Sequence, residues 1–264
     1  MLSAWIGVGL VVTAFVALMG GLRTYRRACS APPEMVRKLL HVGMGMATLP
    51  FPWLFSAPWP VIVLAGLFVP GLLALRRSPA LQRVLGGAID GVSRPSHGEI
   101  YFPLGICAVF LLSTNDPLLF CVPVLILSLA DAAAALIGTR YGLLVYGPPD
   151  GRKSVEGSAA FLIAAFLSTH LPLLLFSETG RVESLLIALA VALGATLIEA
   201  LARRGLDNLL VPLGAFALLR TLLALDVAGQ ALGLGLTGGT LLVALLFLGP
   251  VRQVGAGRAW SSRF

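Results

Sequence analysis

Nine apolar runs of near-membrane length follow one another along this chain, at residues 2–22, 39–56, 58–75, 100–114, 117–138, 158–176, 183–202, 208–225 and 229–250. Crossing a bilayer takes about 20 apolar residues of α-helix, and within it every backbone polar group must be satisfied inside the segment, so such runs have essentially only helices to fold into. Several runs are short or meet across Pro-containing turns such as PFPWLFSAPWP (50–60). The expectation is therefore an all-α, polytopic integral membrane protein with about nine spans, within a range of seven to nine, making one transmembrane domain over residues 1–264. Only 12% of the residues are charged, against roughly 25% in soluble domains. The first run has no basic residue before it and is followed by Arg23, Arg26 and Arg27, which reads as a retained first helix rather than a cleaved signal.

The charges test the span count. With nine spans and the N-terminus outside, the cytoplasmic loops hold 17 of the 19 basic residues, leaving only Arg181 in an outer loop and Arg220 within a span. That is the asymmetry of the positive-inside rule. It explains the net charge of +7 as a topology signal, with no nucleic-acid partner implied. Cys29, Cys107 and Cys121 are scattered and form neither a metal motif nor a disulfide framework.

Against this apolar background Asp131 stands out. A charged side chain in a membrane helix costs about 2.5–3.5 kcal/mol even on lenient scales, so an acid there is expected to hold a cation or a proton. Behind it runs a cytoplasmic loop, residues 139–157, that ends in Lys-Ser-x-Glu-Gly. Backbone amides of Gly138, Gly142, Gly147, Gly151 and Gly157, with Arg152 and Lys153 as charges, suit a polyphosphate, and Ser154 and Glu156 belong to the same block. Asp131, Gly138 and Gly142 also share a helical face without bulk, for which close helix packing is the alternative. The chain has two lysines, Lys38 and Lys153, and both sit in polar clusters where a compact ammonium can approach phosphate.

Three more clusters fall on the same side. Glu34, Arg37, Lys38 and His41 stand at i, i+3, i+4 and i+7 on one helix face, with the small-residue stretch GMGMA next to His41. Either a solvated stripe or a phosphate-contacting face answers to that spacing. Arg94, His97 and Glu99 precede the fourth span, and Glu199, Asp207 and Asn208 flank the loop between the seventh and eighth, where helix capping and pairing with Arg203 are the plain alternatives. His170 and Arg220 read as structural, and residues 78–90 as a short interfacial helix.

The segments RKLLHVGMG (37–45), GEIYFPLG (98–105), DAAAALIGTRYG (131–142), RKSVEGS (152–158) and LIEALARRGLDNLLVPL (197–213) together resemble the phytol kinase group, relatives of CTP-dependent dolichol kinases. The resemblance covers roughly residues 34–213. Phosphatidate cytidylyltransferases carry a similar CTP-binding block, but this chain has Gly-Leu-Asp-Asn in place of their His-Gly-Gly and Asp-Arg pattern. The resemblance implies a membrane lipid kinase moving a phosphoryl group from CTP or a related nucleotide to a long isoprenoid alcohol, with a CDP-lipid-forming cytidylyltransferase as the alternative. It implies Mg²⁺ held by Asp131 with Asp207 or Glu156, and a nucleotide held by Asp131, Gly138, Gly142, Arg152, Lys153, Ser154, Glu156 and Gly157. Arg37, Lys38, His41, Glu99 and Glu199 are the catalytic candidates, in an inner-membrane enzyme whose site faces the cytoplasm. A transporter would place its charges near the midplane between repeated halves, and no repeat is visible here.

Overall fold

Each apolar run becomes part of a helical rod. Nine rods are found among the described residues, which in the computed structural model are 3–78, 97–114, 116–147, 152–247 and 251–253. They are α1 (Ala4–Cys29), α2 (Pro33–Thr48) with the one-turn α3 (Phe51–Leu54) after it, α4 (Trp59–Arg77), and α5 (Gly98–Ser113). A composite rod follows, made of α6 (Pro117–Leu125), a π turn (Ile126–Ala130) and α7 (Asp131–Tyr141). The last four are α8 (Val155–Phe176), α9 (Arg181–Leu201), α10 (Asp207–Leu223) and α11 (Val227–Phe247). Five of these rods are long and apolar enough to cross a membrane, namely Ala4–Cys29, Pro117–Tyr141, Val155–Phe176, Arg181–Leu201 and Val227–Leu246, while Trp59–Leu75 and Gly98–Ser113 are shorter apolar helices. Arg94, Gly151 and the expected interfacial helix beyond Ser78 lie outside the described residues.

One helix starts earlier than hydropathy suggests. Pro33 opens α2, where its missing N–H costs nothing and its fixed φ favours the turn, so Glu34, Arg37, Lys38 and His41 all lie inside the helix. The backbone around the loop 139–157 adds a small sheet to the helical plan. Its strands β1 (Leu144–Tyr146), β2 (Lys153–Ser154) and β3 (Arg252–Gln253) pair antiparallel in the order β2-β1-β3. Val145 faces Ser154 on one side and Arg252 on the other, so the segment after α11 returns to the same end of the bundle.

Among the described residues, core packing draws the rods into three groups, one of them Met19, Ala31, Val36, Leu40 and Leu75 between α1, α2 and α4. Ile126, Ala130, Phe161, Leu173, Ile187, Val191, Val211 and Leu219 join the composite rod to α8, α9 and α10. Val8, Phe51, Phe55, Leu64, Phe102, Val109, Phe120 and Phe216 join α1, α3, α4, α5, α6 and α10. Phe51 stacks on Phe120 with ring centroids 6.1 Å apart. Outward-facing side chains stay apolar, with Leu175, Phe176, Leu242 and Leu246 all exposed, as lipid-facing helices require. Trp5, Trp53 and Trp59 are exposed together at one end, and Trp5 and Trp59 touch at 4.9 Å. Such rings favour the headgroup level of a bilayer. The opposite end, where α1, α4, α7 and α9 finish and α2, α5, α8 and α10 begin, holds Lys38, Asp131, Lys153, Glu199 and Asp207.

Candidate active site

The first half of the site is built by α2 against α7. Gly45 on α2 lies directly against the Ser128 side chain of the π turn, and Gly43 against Leu18 of α1, so the small-residue stretch of α2 does admit neighbouring helices closely. That approach carries Lys38 and His41 to Asp131. Lys38 Nζ donates to Asp131 Oδ2 at 2.6 Å, with side chains only 6% and 14% exposed. His41 Nε2 lies 3.5 Å from the same oxygen and 3.0 Å from the carbonyl oxygen of Leu127. A carbonyl only accepts, so Nε2 is the donor, and in the neutral ring Nδ1 is the accepting nitrogen. The acceptor sits in the π turn, a local widening that recurs at functional sites. On the same face Arg37 grips Glu34 through two bonds, at 2.5 and 3.1 Å, and this pair is only half-buried.

The second half is built by the ribbon and α9. Lys153 Nζ donates to Glu199 Oε1 at 2.6 Å and to the Glu199 backbone carbonyl. Glu199 is buried, and its Oε2 has no hydrogen-bond partner among the described residues. Asp207 links the halves, since it feels the charges of Asp131, Lys153 and Lys38, while Arg37 feels those of Asp131 and Asp207. Both lysines of the chain and three carboxylates, Asp131, Glu199 and Asp207, therefore share one neighbourhood. Tyr146 of β1 borders it. Its hydroxyl meets Ser158 Oγ at 2.6 Å, and burial, reinforced by the charge of Glu199, pushes its pKa up to about 12.

Other expected site residues have different occupations. Glu156 is not placed with the metal candidates: Oε1 accepts from the amides of Leu143 and Leu144 at 3.0 and 3.1 Å, so its carboxylate fastens the loop to the start of α8. Among the described residues no group of three or more His, Cys, Asp or Glu side chains forms a ready metal cage. Gly138, Gly142 and Gly157 form a packing knot around Ser154 rather than an open cradle. A Cβ on Gly138 would stand 2.9 Å from Ser154 Oγ, one on Gly157 would stand 2.8 Å from the Ala134 carbonyl oxygen, and one on Gly142 would collide with the Gly138 carbonyl. The Gly157 amide already donates to Ser154 Oγ at 3.1 Å, the N-cap of α8. Here the small-residue alternative describes the structure.

Asn208 is a strut as well. Its side chain donates to the Gly98 carbonyl at 2.9 Å, tying α10 to α5, and Gly105 packs so close to the Asn208 carbonyl that a Cβ would stand 2.5 Å from it. Pro212, four residues on, leaves that carbonyl without its usual helical donor. The amide of His97 donates to the Arg204 carbonyl at 3.1 Å, a second tie between the same segments. Glu99 is half-buried in the first turn of α5, and Arg152 is exposed beside β2. His170 pairs with Ser184 at 2.9 Å, and the Arg220 guanidinium lies 6.0 Å from the Phe216 ring centre, both remote in function from the cluster. Three participants were not singled out by sequence: the Leu127 carbonyl, Tyr146, and Phe102, whose ring meets that of His41 at 4.6 Å. Phe102 lies within GEIYFPLG, where an aromatic among apolar residues gave no chemical signal.

Fold and site together define a polytopic helical membrane protein with a buried charged centre at one end of its bundle. The chain belongs to the phytol kinase family. It is 33% identical over 216 residues to the Phytol kinase of Synechocystis sp., covering 81% of this chain and 90% of that protein. It is 28% identical over 201 residues to the Probable phytol kinase, chloroplastic, of Triticum aestivum, covering 68% of this chain and 64% of that protein. No family profile matches the chain, and no solved structure matches it.

Proposed function

We propose that this protein is a membrane lipid kinase that transfers the terminal phosphoryl group of a nucleoside triphosphate, CTP favoured, to the hydroxyl of a long-chain isoprenoid alcohol such as phytol or a polyprenol. The observation that carries the reading is the pair of buried contacts Lys38–Asp131 and Lys153–Glu199 at one end of the bundle, with Asp207 within electrostatic reach of both, in a chain of the phytol kinase family. Phosphoryl transfer needs positioning and charge neutralisation more than covalent chemistry, and a cluster of opposite charges supplies both. The positive-inside bias supports a cytoplasmic position for this end, on the side that supplies nucleotides.

Mg²⁺ fits the residues present. The Oε2 of Glu199 is a buried acceptor without a donor among the described residues, and Asp131 and Asp207 are the carboxylates whose charges act on it. Mg²⁺ typically takes one or two carboxylates and completes its shell with phosphate and water, so two of these acids would be enough to hold it. Bound there, the ion would neutralise charge on the phosphates. The lysines, each now holding a carboxylate, would exchange that partner for phosphate oxygens. In the transfer the bond from the alcohol oxygen to the terminal phosphorus forms, the bond from that phosphorus to its bridging oxygen breaks, and the nucleoside diphosphate leaves. The hydroxyl proton goes to a base at the cluster. His41, its ring held by the Leu127 carbonyl and Phe102, is the candidate base, with Nδ1 as the accepting atom in the neutral ring.

The test is to incubate the purified protein in lipid with Mg²⁺, γ-labelled CTP and a panel of phytol, farnesol, geranylgeraniol and dolichol. Label in the lipid fraction, lost in Asp131→Asn, supports the kinase. Pyrophosphate released with phosphatidate, and no labelled alcohol, would make it a cytidylyltransferase instead.

A further inference from the structure

An apolar cavity begins where the charged cluster ends. It lies between α1, α2, α4 and α5, lined among others by Phe15, Leu18, Met44, Ala65, Phe68 and Phe102. Its polar lining residue, Thr48, already spends its hydroxyl on the Gly45 carbonyl at 2.8 Å, so the wall offers nothing to a polar guest. Phe102 belongs to both compartments. It lines the cavity, and its ring centre lies 4.6 Å from that of His41, whose Nε2 stands 3.5 Å from Asp131 Oδ2. Met44, three residues after His41 on α2, lies one turn deeper. Phe15 and Phe68 meet across α1 and α4 with ring centroids 4.7 Å apart. The alanines, Ala47 and Ala65, are the places where the lining leaves room.

We propose that this groove holds the hydroxyl-proximal part of the isoprenoid chain of the substrate and presents its alcohol past Phe102 to His41 and Asp131. The inference rests on the lipid-kinase reading and names where that substrate's chain lies. The lining residues run from Val11 to Leu18 on α1 and from Val61 to Phe68 on α4. Seven residues of helix rise about 10 Å, roughly a third of the bilayer core of about 30 Å. The groove therefore encloses only the first isoprene units and releases the remainder of the chain to the bilayer. A site of that length distinguishes branched from straight chains near the hydroxyl and treats long isoprenoids of different length alike.

Two measurements test this. In the first, Ala65→Phe and Ala47→Phe fill the groove without touching the charged cluster, and KM for the alcohol and for CTP are measured with farnesol, phytol and a dolichol. The expected result is a rise of tenfold or more in the alcohol KM with CTP KM within about twofold, and wild-type values for alcohols beyond farnesol that differ little with length. Unchanged alcohol KM in both filled variants, with wild-type phosphorylation intact, overturns the groove and leaves the kinase reading standing. Failure of the wild type to phosphorylate any alcohol removes the reading itself, and the groove assignment with it. In the second, wild-type protein is photolabelled with a farnesol analogue bearing a diazirine near its hydroxyl. Adducts on Phe15, Met44, Phe68 or Phe102, displaced by excess phytol, are expected. Adducts on another helix face, or adducts at the groove that phytol does not displace, overturn it, the latter assigning the groove to a bilayer lipid chain.

Discussion

Lys38→Met should be among the most destabilising single substitutions in the chain. Its ammonium is held at 2.6 Å by Asp131, and both side chains are largely buried. Removing it leaves a carboxylate with no substitute partner: His41 Nε2 is 3.5 Å away and already donates to Leu127, and Arg37 is taken up by Glu34. Stripping one member from a buried ion pair costs about 3–5 kcal/mol, because the remaining charge stays desolvated. By the scaling for domains of this size, that corresponds to a fall in Tm of roughly 6–20 °C. Asp131→Asn should cost a similar amount by stranding Lys38. The double variant Lys38→Met with Asp131→Leu removes both charges, and an apolar replacement for a buried pair is often neutral or better. The cycle is read by thermal unfolding of the four proteins in one detergent. A coupling of at least about 3 kcal/mol is expected. Single variants costing under about 1 kcal/mol, the scale of an exposed pair, or effects that simply add, would refute the reasoning.

Further outcomes follow from the same geometry. Lys153→Met leaves both oxygens of the buried Glu199 carboxylate unpaired, so it should unfold earlier, by about 3 kcal/mol, and raise KM for CTP, measured by calorimetric unfolding and steady-state kinetics. Glu156→Ala frees the amides of Leu143 and Leu144 and should raise nucleotide KM while leaving the Mg²⁺ concentration for half-activity unchanged; a shift in the latter alone would return Glu156 to the metal. Gly157→Ala forces a Cβ to within 2.8 Å of the Ala134 carbonyl oxygen, where overpacking should cost roughly 1–3 kcal/mol, seen as a lower Tm of the same two-helix knot.

The sequence made the rods legible because hydropathy reports the same quantity that the bilayer selects, and the boundaries slipped where polar residues continue a helix, as at Pro33 in α2, or where a proline divides an apolar run, as at Pro50. It also made the convergence legible, since alternating spans bring every second loop to one end. What it withheld was pairing. Lys38 and Asp131 are 93 residues apart, and nothing local in the chain says that this lysine meets this acid. The π turn is a backbone adjustment without a residue signature. The ribbon is assembled from strands of two or three residues, too short for any periodicity, and its third strand comes from beyond α11. The glycines had two readings because both a phosphate and a neighbouring helix need a missing Cβ. Ser154, read from the sequence only as part of the nucleotide block, is the N-cap of α8 and organises that knot.

The central claim is that the cluster around Asp131 moves the terminal phosphoryl group, and parallel reactions with α-labelled and γ-labelled CTP test it most directly. With phytol, Mg²⁺ and wild-type protein in lipid, the account expects γ-label in the lipid phase, α-label remaining in water as CDP, and neither transfer in Asp131→Asn. Appearance of α-label in the lipid, or γ-label transferred undiminished by Asp131→Asn, would contradict it.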